Sequence, residues 1–167
     1  MNFERMEEQL LLHEGLRLKA YLDTEDNWTL GVGYNITGRT IEFFAKTIGR
    51  KFSGPVSSYR CTRAEARKVL RADIERIHNV IPVHFPEYTS LSEIRQRVIL
   101  DLVFNMGFRV QSFVNTRKAI ERHDWTAAVR GLYASKWARQ VGDGEGKKFD
   151  RADRLTRMLL TDQDYVT

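Results

Sequence analysis

Cysteine, proline and long apolar runs are all scarce in this sequence of 167 residues, and each scarcity excludes a class of protein. The single cysteine, Cys61, rules out an internal disulfide and is expected to be a structural thiol. Three prolines and 11 glycines exclude a collagen-like or low-complexity chain. No stretch approaches the roughly 18 uncharged apolar residues that a membrane span needs. The composition is that of an ordinary globular protein, with one domain or two small lobes sharing a core.

Metal-binding patterns are also missing. The four histidines have no metal-ligand spacing, so we expect neither a metal nor a cofactor. His13-Glu14 matches the start of the zinc-protease motif HExxH, but residue 17 is Arg17, and the second histidine ligand is therefore absent.

Positive charge is unevenly distributed along the chain. The net charge is +5, yet residues 1–61 contain 8 Lys/Arg and 8 Asp/Glu, so residues 62–167 carry the whole excess. A basic half suits a polyanionic partner such as nucleic acid, an anionic membrane or the bacterial envelope, although a solvated surface explains it equally well. We expect no nucleic-acid partner, because no binding motif is present and stacking aromatics do not alternate with the basic residues.

The N-terminal part of the sequence predicts one helix, a hairpin and a second helix. Apolar residues recur at helical spacing over 3–13, and alternation then predicts a strand over 16–21. The polar cluster 23–27 predicts a loop before a second strand over 28–34, and 40–48 reads as a short helix.

The rest of the sequence predicts helices only. Thr62 and Glu65 form a capping box that opens a long helix to about Val80, which Pro82 and Pro86 should end. A second capping box at 90–93 precedes a nearly continuous apolar helix. The remaining helices are predicted over 94–106, 113–121, 124–134 and 150–160, with a loop over 141–146.

These elements predict an α+β fold. The first lobe, over 14–61, is small and contains the hairpin. An inter-lobe helix over 62–81 connects it to a second, all-helical lobe over 82–167, and the N-terminal helix 1–13 is expected to pack with this second lobe. Such an arrangement favours a cleft between the lobes, where ligands often bind.

Two carboxyl groups near the hairpin suggest glycoside hydrolysis, which needs one acid to protonate the leaving oxygen and one carboxylate to activate water. Glu14 falls where the first helix gives way to the hairpin, and Asp23 falls in the hairpin loop. Thr29 begins the returning strand, where its hydroxyl could hold a water. Spacing alone does not bring the carboxyls together, and a solvated helix end with an Asx-type turn would give the same pattern.

The stretch LLLHEGLRLKAYLDTEDNWTLGVGY resembles the signature of the phage-type lysozymes, the endolysins of T-even bacteriophages and their relatives. The catalytic set of that family is a Glu, an Asp and a Thr, with eight residues between the first two and five between the last two. Glu14, Asp23 and Thr29 have this spacing without a gap. The segments IGR, SLSEIRQR, LVFNMGF, SKW and DRADR also have counterparts, whereas 35–60 and 138–149 match least.

The resemblance implies a lysozyme-like fold and a muramidase that cleaves bacterial peptidoglycan with inversion. By that resemblance Glu14 is the general acid, Asp23 the second carboxylate and Thr29 the residue that positions water. Arg151 is implied to orient Glu14 from the helical lobe. A monomer is expected, with electrostatic contact to the anionic envelope.

The resemblance also implies a saccharide-binding set and shows two departures from the family. The set comprises Tyr34, Asn35, Phe104, Asn105 and Thr116. Tyr34 replaces a histidine that the family often pairs with an aspartate on the long helix, here Asp73, so that ion pair cannot form. Gly131 stands where the family has an asparagine in the cleft.

Synthesis in the host cytoplasm, followed by release to the periplasm or cell wall through a holin-type pore, is expected, because the N-terminus lacks the features of a secretory signal. Two alternatives stay open. One is a peptidoglycan-binding module without activity. The other is envelope disruption by the basic C-terminal helices, which carry Lys147, Lys148, Arg151, Arg154 and Arg157.

Overall fold

A computed structural model describes residues 1–38, 40–142 and 149–166, and it shows the α+β architecture that the sequence predicts. The chain forms two compact units. We call Phe3–Arg76 the hairpin unit, and Met1–Asn2 together with Ile77–Thr167 the helical unit. None of the helices in the described ranges is both long and apolar enough to cross a membrane. The predicted division into lobe, bridging helix and lobe, with its cleft, stays a prediction.

The hairpin unit holds a small antiparallel sheet between helices. Its elements are α1 (Phe3–Glu14), β1 (Arg17–Leu22), β2 (Trp28–Gly31), β3 (Tyr34–Asn35), α2 (Thr40–Ile48) and the first part of α3 (Arg63–His84). The strand order is β1-β2-β3. The predicted first helix and the helix over 40–48 are confirmed, and α1 extends one residue further, to Glu14.

The second strand of the hairpin is shorter than predicted. The sequence predicted one strand over 28–34, but β2 ends at Gly31 and the chain turns back into β3. Gly31 and Gly33 have φ angles of +73° and +59°, a conformation that interrupts a strand and that glycine adopts readily. The turn places Tyr34 opposite Leu30, which makes β2 the central strand of the sheet.

The core of the hairpin unit lies between the sheet, α2 and α3. Its buried members are Ala20, Leu30, Ile36, Phe44, Cys61, Ala66 and Val69. Burial, and then the Glu65 carboxylate, raise the pKa of the Cys61 thiol to about 11 against the opposing effect of Arg50. A thiol with so high a pKa is a poor nucleophile, which agrees with a structural role for this cysteine.

Helix α3 begins as predicted and ends later. The amide of Thr62 donates to Glu65 at 2.7 Å, and the Glu65 amide donates to the Thr62 hydroxyl at 3.1 Å, which confirms the capping box. Ending the helix at Pro82 was wrong, because α3 continues through Pro82 to His84. Ile81 and Phe85 are buried on either side of the proline, and this burial stabilises the last turn despite the lost hydrogen bond.

The helical unit is built from short helices around α4. Its elements are the end of α3, α4 (Glu93–Met106), α5 (Val114–Glu121), α6 (Trp125–Tyr133), α7 (Lys136–Val141) and α8 (Arg151–Thr161). The predicted helices are confirmed, but α4 is capped by Ser92 rather than Ser90 and α7 was not predicted. Residues 143–146 of the predicted loop lie outside the described residues.

Helix α4 is the buried centre of the helical unit. Every residue from Arg97 to Val103 is buried, as the nearly continuous apolar run predicted. Helix α8 contacts α4, α6 and α7, and its apolar residues Leu155, Met158 and Leu159 are fully buried there. The apolar face of α8 is therefore used for packing, which argues against the envelope-disruption alternative.

Candidate active site

Glu14 is the last residue of α1, and its side chain lies against the turn between β2 and β3. The helix stops because Gly15 adopts a φ of +71° and donates its amide to the Leu11 carbonyl at 3.0 Å. A Cβ atom at Gly33 would lie 2.9 Å from Oε2 of Glu14, closer than two such atoms can approach. The missing side chain of Gly33 therefore leaves the space in which the Glu14 carboxyl lies.

Asp23 is fixed by the loop that it begins. Its amide donates to the Asn27 carbonyl at 2.9 Å, and its Oδ1 accepts the amides of Glu25 and Asn27, each at 2.9 Å. Its Oδ2 faces the side chains of Asn27 and Thr29, each at 3.5 Å. Desolvation is the largest single influence on Asp23 and favours the neutral acid, but the hydrogen bonds from Asn27, Glu25 and Thr29 together outweigh it and lower the pKa of Asp23.

Thr29 lies in the central strand with its hydroxyl between two acceptors. The residue is buried, and its Oγ1 lies 3.5 Å from Oδ2 of Asp23 and 3.4 Å from the Asn27 carbonyl. The family resemblance assigned Thr29 to the same catalytic set as Asp23, and the structure brings the two side chains together. The hydroxyl lies beside the one carboxylate oxygen of Asp23 that the loop amides do not bind.

The phenol of Tyr21 is influenced by both carboxylates. Burial is the main cause that raises the pKa of its phenol, Arg17 opposes it, and the charges of Glu14 and Asp23 each raise it further. The Arg17 guanidinium lies 4.3 Å from the centre of the Tyr21 ring. The charges of Glu14 and Asp23 therefore both act on the half-buried phenol of Tyr21.

Tyr34, predicted to contact saccharide, has its ring packed inside the hairpin unit. The ring stacks on Phe43 at 5.8 Å, and its hydroxyl donates to the Thr40 carbonyl at 3.3 Å. Burial, and then Asp73, raise the pKa of Tyr34 to about 12 against the effect of Arg76. Asp73 pairs with Arg76 at 2.6 Å, so the aspartate that the family pairs with histidine has another partner here.

The predicted saccharide residues in the helical unit fall at two places. Asn105 is exposed and its Oδ1 accepts the indole N–H of Trp137 at 3.0 Å, while Phe104 is half-buried beside it in the chain. Thr116 is buried and lines a cavity of about 320 Å³ together with Gly131. A Cβ atom at Gly131 would lie 2.5 Å from Oγ1 of Thr116, so a larger residue at position 131 would require the Thr116 side chain to move.

In the hairpin unit, Asn35 is exposed at the end of the sheet, and its Oδ1 accepts the Thr37 amide at 2.7 Å. It pairs with Thr29 across β2 and β3, so one predicted sugar contact lies opposite one predicted catalytic residue. The saccharide-binding roles of the five residues stay predictions.

Arg151 begins α8 and is held by a carboxylate that sequence reasoning missed. Its Nε and Nη2 donate to Oδ1 of Asp101 at 2.9 and 2.7 Å, and both side chains are buried. Asp101 stood in the sequence as a lone charge within the apolar run ILDLV, which is the signal that could have found it. The orientation of Glu14 by Arg151 stays a prediction.

The comparison with known proteins identifies the family. The profile described as phage lysozyme matches residues 12–153, and the chain belongs to this family. The chain is 30% identical over 167 residues to the pre-baseplate central spike protein Gp5 of Enterobacteria phage T4, covering 93% of this chain but only 28% of the spike protein. It is also similar to the probable T4-type lysozymes 1 and 2 of Dictyostelium discoideum, at 28% and 27% identity.

Each Dictyostelium relative is matched over 81% of this chain and 86% of its own length. The family and these relatives support a lysozyme-like glycosidase activity, and the family implies peptidoglycan as the substrate.

Proposed function

We propose that the protein is a muramidase that hydrolyses the β-1,4 bond between N-acetylmuramic acid and N-acetylglucosamine in peptidoglycan, with inversion. Glu14 is the general acid, Asp23 the general base and Thr29 the residue that positions the attacking water. The observation that carries this proposal is the arrangement around Asp23, in which backbone amides bind one carboxylate oxygen and Thr29 lies beside the other.

Asp23 has the features of a base that stays ionised. Its lowered pKa keeps the negative charge at neutral and mildly acidic pH, and the loop amides fix the direction of the carboxylate. A water bound between Oδ2 and the Thr29 hydroxyl would give its proton to Asp23 as its oxygen attacks the anomeric carbon. Glu14 gives its proton to the glycosidic oxygen that leaves.

The central strand β2 separates the two proposed catalytic carboxylates along the chain. Asp23 sits in the loop before β2 and Glu14 lies against the turn after it. Four residues of strand, Trp28–Gly31, separate the two ends by about 10 Å. The length of this strand is of the same order as the roughly 6.5–9.5 Å between the carboxyl groups of inverting enzymes, a separation that leaves room for a water between sugar and base.

We propose that Arg151 orients Glu14, and the fixed orientation of the Arg151 guanidinium supports this. Asp101 accepts two of its guanidinium nitrogens, so the side chain has one orientation at the start of α8. The exposed amide of Asn35 and the cavity at Thr116 are suited to hydrogen-bond sugar hydroxyls, which supports their proposed contact with saccharide.

The biological role that we propose is host cell lysis by an endolysin released from the host cytoplasm through a holin-type pore. The similarity to the T4 spike protein favours a second role, in which the enzyme acts on the wall as part of a phage particle. The location of the protein after lysis distinguishes the two roles. An endolysin is found in the soluble lysate, whereas a component of the particle is retained in purified virions and is detected there by mass spectrometry.

The first product of hydrolysis is expected to be the α anomer. A water delivered by Asp23 attacks from the face opposite the β-linked leaving group, and a single displacement inverts the anomeric carbon. The measurement is proton NMR of a fresh digest of peptidoglycan oligosaccharide, recorded before mutarotation. An initial β signal would show that Asp23 attacks carbon directly and would remove the role given to Thr29, while leaving the muramidase assignment intact.

Replacing Gly33 by alanine is expected to lower the lytic rate by roughly ten- to a hundredfold, because misplacing a reacting group by about 1 Å can cost this much. The new Cβ would occupy the space 2.9 Å from Oε2 of Glu14, so the general acid must move. The measurements are the lytic rate on chloroform-treated Gram-negative cells and the midpoint of thermal unfolding.

Gly38→Ala is the matched control for the backbone. Its φ of +63° is close to the +59° of Gly33, so both variants carry a similar left-handed strain of about 1–2 kcal/mol. Among the described residues, nothing lies within 4 Å of a Cβ built at Gly38. If the two variants lose the same activity, strain alone explains the loss and the contact with Glu14 has no role.

A further inference from the structure

A second concave site lies on the hairpin unit, between α2 and the segment that follows it. Its cavity measures about 540 Å³ and has a mostly apolar wall formed by Ile41, Ala45, Phe52 and Tyr59. The rings of Phe52 and Tyr59 stack at 4.7 Å and an angle of 30°, which makes a flat aromatic side. Neither the phage-type catalytic set nor the predicted saccharide residues touch this cavity.

The rim of the cavity carries charges of both signs. Arg50 is committed to Glu65, to which it donates at 3.0 and 3.1 Å. Lys46, Lys51 and Glu42 also line the cavity and are exposed, and within the ranges that the structure describes none of these three has an ion-pair partner. The site thus offers two ammonium groups and one carboxylate around an apolar, aromatic floor.

We propose that this cavity binds a short acidic peptide with small apolar side chains, the chemistry of the peptide stems of peptidoglycan. Methyl groups of alanine fill an apolar floor, and two carboxylates match Lys46 and Lys51. Glu42 accepts the ammonium group of a diamino acid, which such stems also contain. An uncharged glycan would leave all three charges unused, and a simple anionic lipid would leave Glu42 facing an anion.

The consequence is a preference for walls that carry their peptides. The cavity would hold a stem in the same unit that carries Glu14, Asp23 and Thr29, so a stem-bearing glycan gains contacts that a bare glycan lacks. This inference rests on the proposed function for the natural source of the peptide, but not for the binding itself.

Binding is tested by NMR on the full-length, isotope-labelled protein. The probe is the synthetic tripeptide L-alanyl-γ-D-glutamyl-meso-diaminopimelate, and the comparison ligand has the same sequence with its carboxylates amidated. Chemical-shift changes are expected over Ile41–Phe52 and at Tyr59, and the amidated ligand should bind about tenfold more weakly, since it loses two exposed charge contacts.

Charge reversal provides the matched variants. Lys46→Glu with Lys51→Glu should weaken tripeptide binding by about tenfold or more. Arg67→Glu with Lys68→Glu makes the same change in net charge at exposed residues of α3 outside the cavity and should leave binding unchanged. Thermal unfolding of both double variants confirms that each is folded.

Four results would overturn the inference, and the first three are no saturable shift at millimolar tripeptide, shifts only outside the cavity, and equal affinity in the two double variants. Phosphatidylglycerol vesicles that bind the cavity and displace the tripeptide would overturn it in favour of a lipid. Because the tripeptide has no glycosidic bond, its binding is independent of hydrolysis. If the protein binds the tripeptide but does not cleave the wall, only the proposed function is refuted. If it cleaves the wall but does not bind the tripeptide, only this inference is refuted.

Discussion

Glu14→Gln is expected to fold like the wild type and to lose wall-lysing activity by about 10²–10⁴-fold, the contribution of a positioned general acid. The amide fills the same space against the turn at Gly33 but has no acidic proton for the leaving oxygen. The measurement is the fall in turbidity of chloroform-treated Gram-negative cells, with circular dichroism melting to confirm folding.

The matched control is Glu75→Gln, which changes an exposed glutamate on α3 in the same unit and should leave lysis unchanged. Retention of more than a tenth of the wild-type rate by Glu14→Gln would refute the catalytic assignment. Killing of cells without wall cleavage would favour envelope disruption by the basic helices. Wall binding without cleavage in the wild type would favour the binding-module alternative.

Asp101→Asn is expected to destabilise the protein by about 3–5 kcal/mol, which is typical when a buried ion pair loses one member. The carboxylate is fully buried on α4 and holds two nitrogens of the buried Arg151 guanidinium. Asparagine keeps the shape but leaves the cation without this opposing charge. Chemical denaturation measures the free energy of unfolding directly.

A variant that replaces both Asp101 and Arg151 distinguishes the destabilisation caused by one unpaired buried charge from the net contribution of the ion pair to stability. Asp101→Leu combined with Arg151→Met puts apolar side chains of similar size in the same space, and such replacements are often neutral for stability. We therefore expect the double variant to be more stable than Asp101→Asn. A single variant within about 1 kcal/mol of wild type would mean that water or other groups compensate for the lost carboxylate.

Elements with strong local signals could be predicted from the sequence. Helix α3 starts at its capping box because Thr62 and Glu65 satisfy the free amides of the first turn within four residues of chain. Helix α4 is buried on several sides because apolar residues fill its middle, where Asp101 is the one charged residue between Val98 and Val103. Both signals are local and need no knowledge of distant contacts.

The predictions of element ends were wrong where tertiary contacts or backbone conformation determine the end of a helix or strand. The helix passes Pro82 because Ile81 and Phe85 are buried around it, which a local rule for proline cannot include. Alternation predicted strand through residue 34, but the positive φ of Gly31 and Gly33 made a turn. The short helix α7 has too few residues for a periodic pattern to be distinguished.

The candidate site could be predicted in part, and its supporting residues could not. The spacing of Glu14, Asp23 and Thr29 carried the resemblance, and the contact between Asp23 and Thr29 agrees with it. Gly33 and Asp101 were missed, because each contacts a residue that is far from it in the sequence. Gly33 leaves room for the Glu14 carboxyl, and Asp101 binds the Arg151 guanidinium. No spacing rule links a glycine in a turn to the carboxyl at a helix end.

Tyr34 gives the hairpin unit a tolerance of changing pH that a histidine would not give. A histidine paired with an aspartate stabilises a fold only while it is protonated, and that contribution is lost as pH rises through its folded-state pKa. The phenol of Tyr34, with a pKa of about 12, keeps its proton in both acidic and mildly alkaline surroundings, and Asp73 pairs with Arg76 rather than with a histidine. The sheet that carries Thr29 therefore packs against a tyrosine whose charge is the same at pH 6 as at pH 8, so this contact does not weaken as the acidity of a bacterial surface changes within that range.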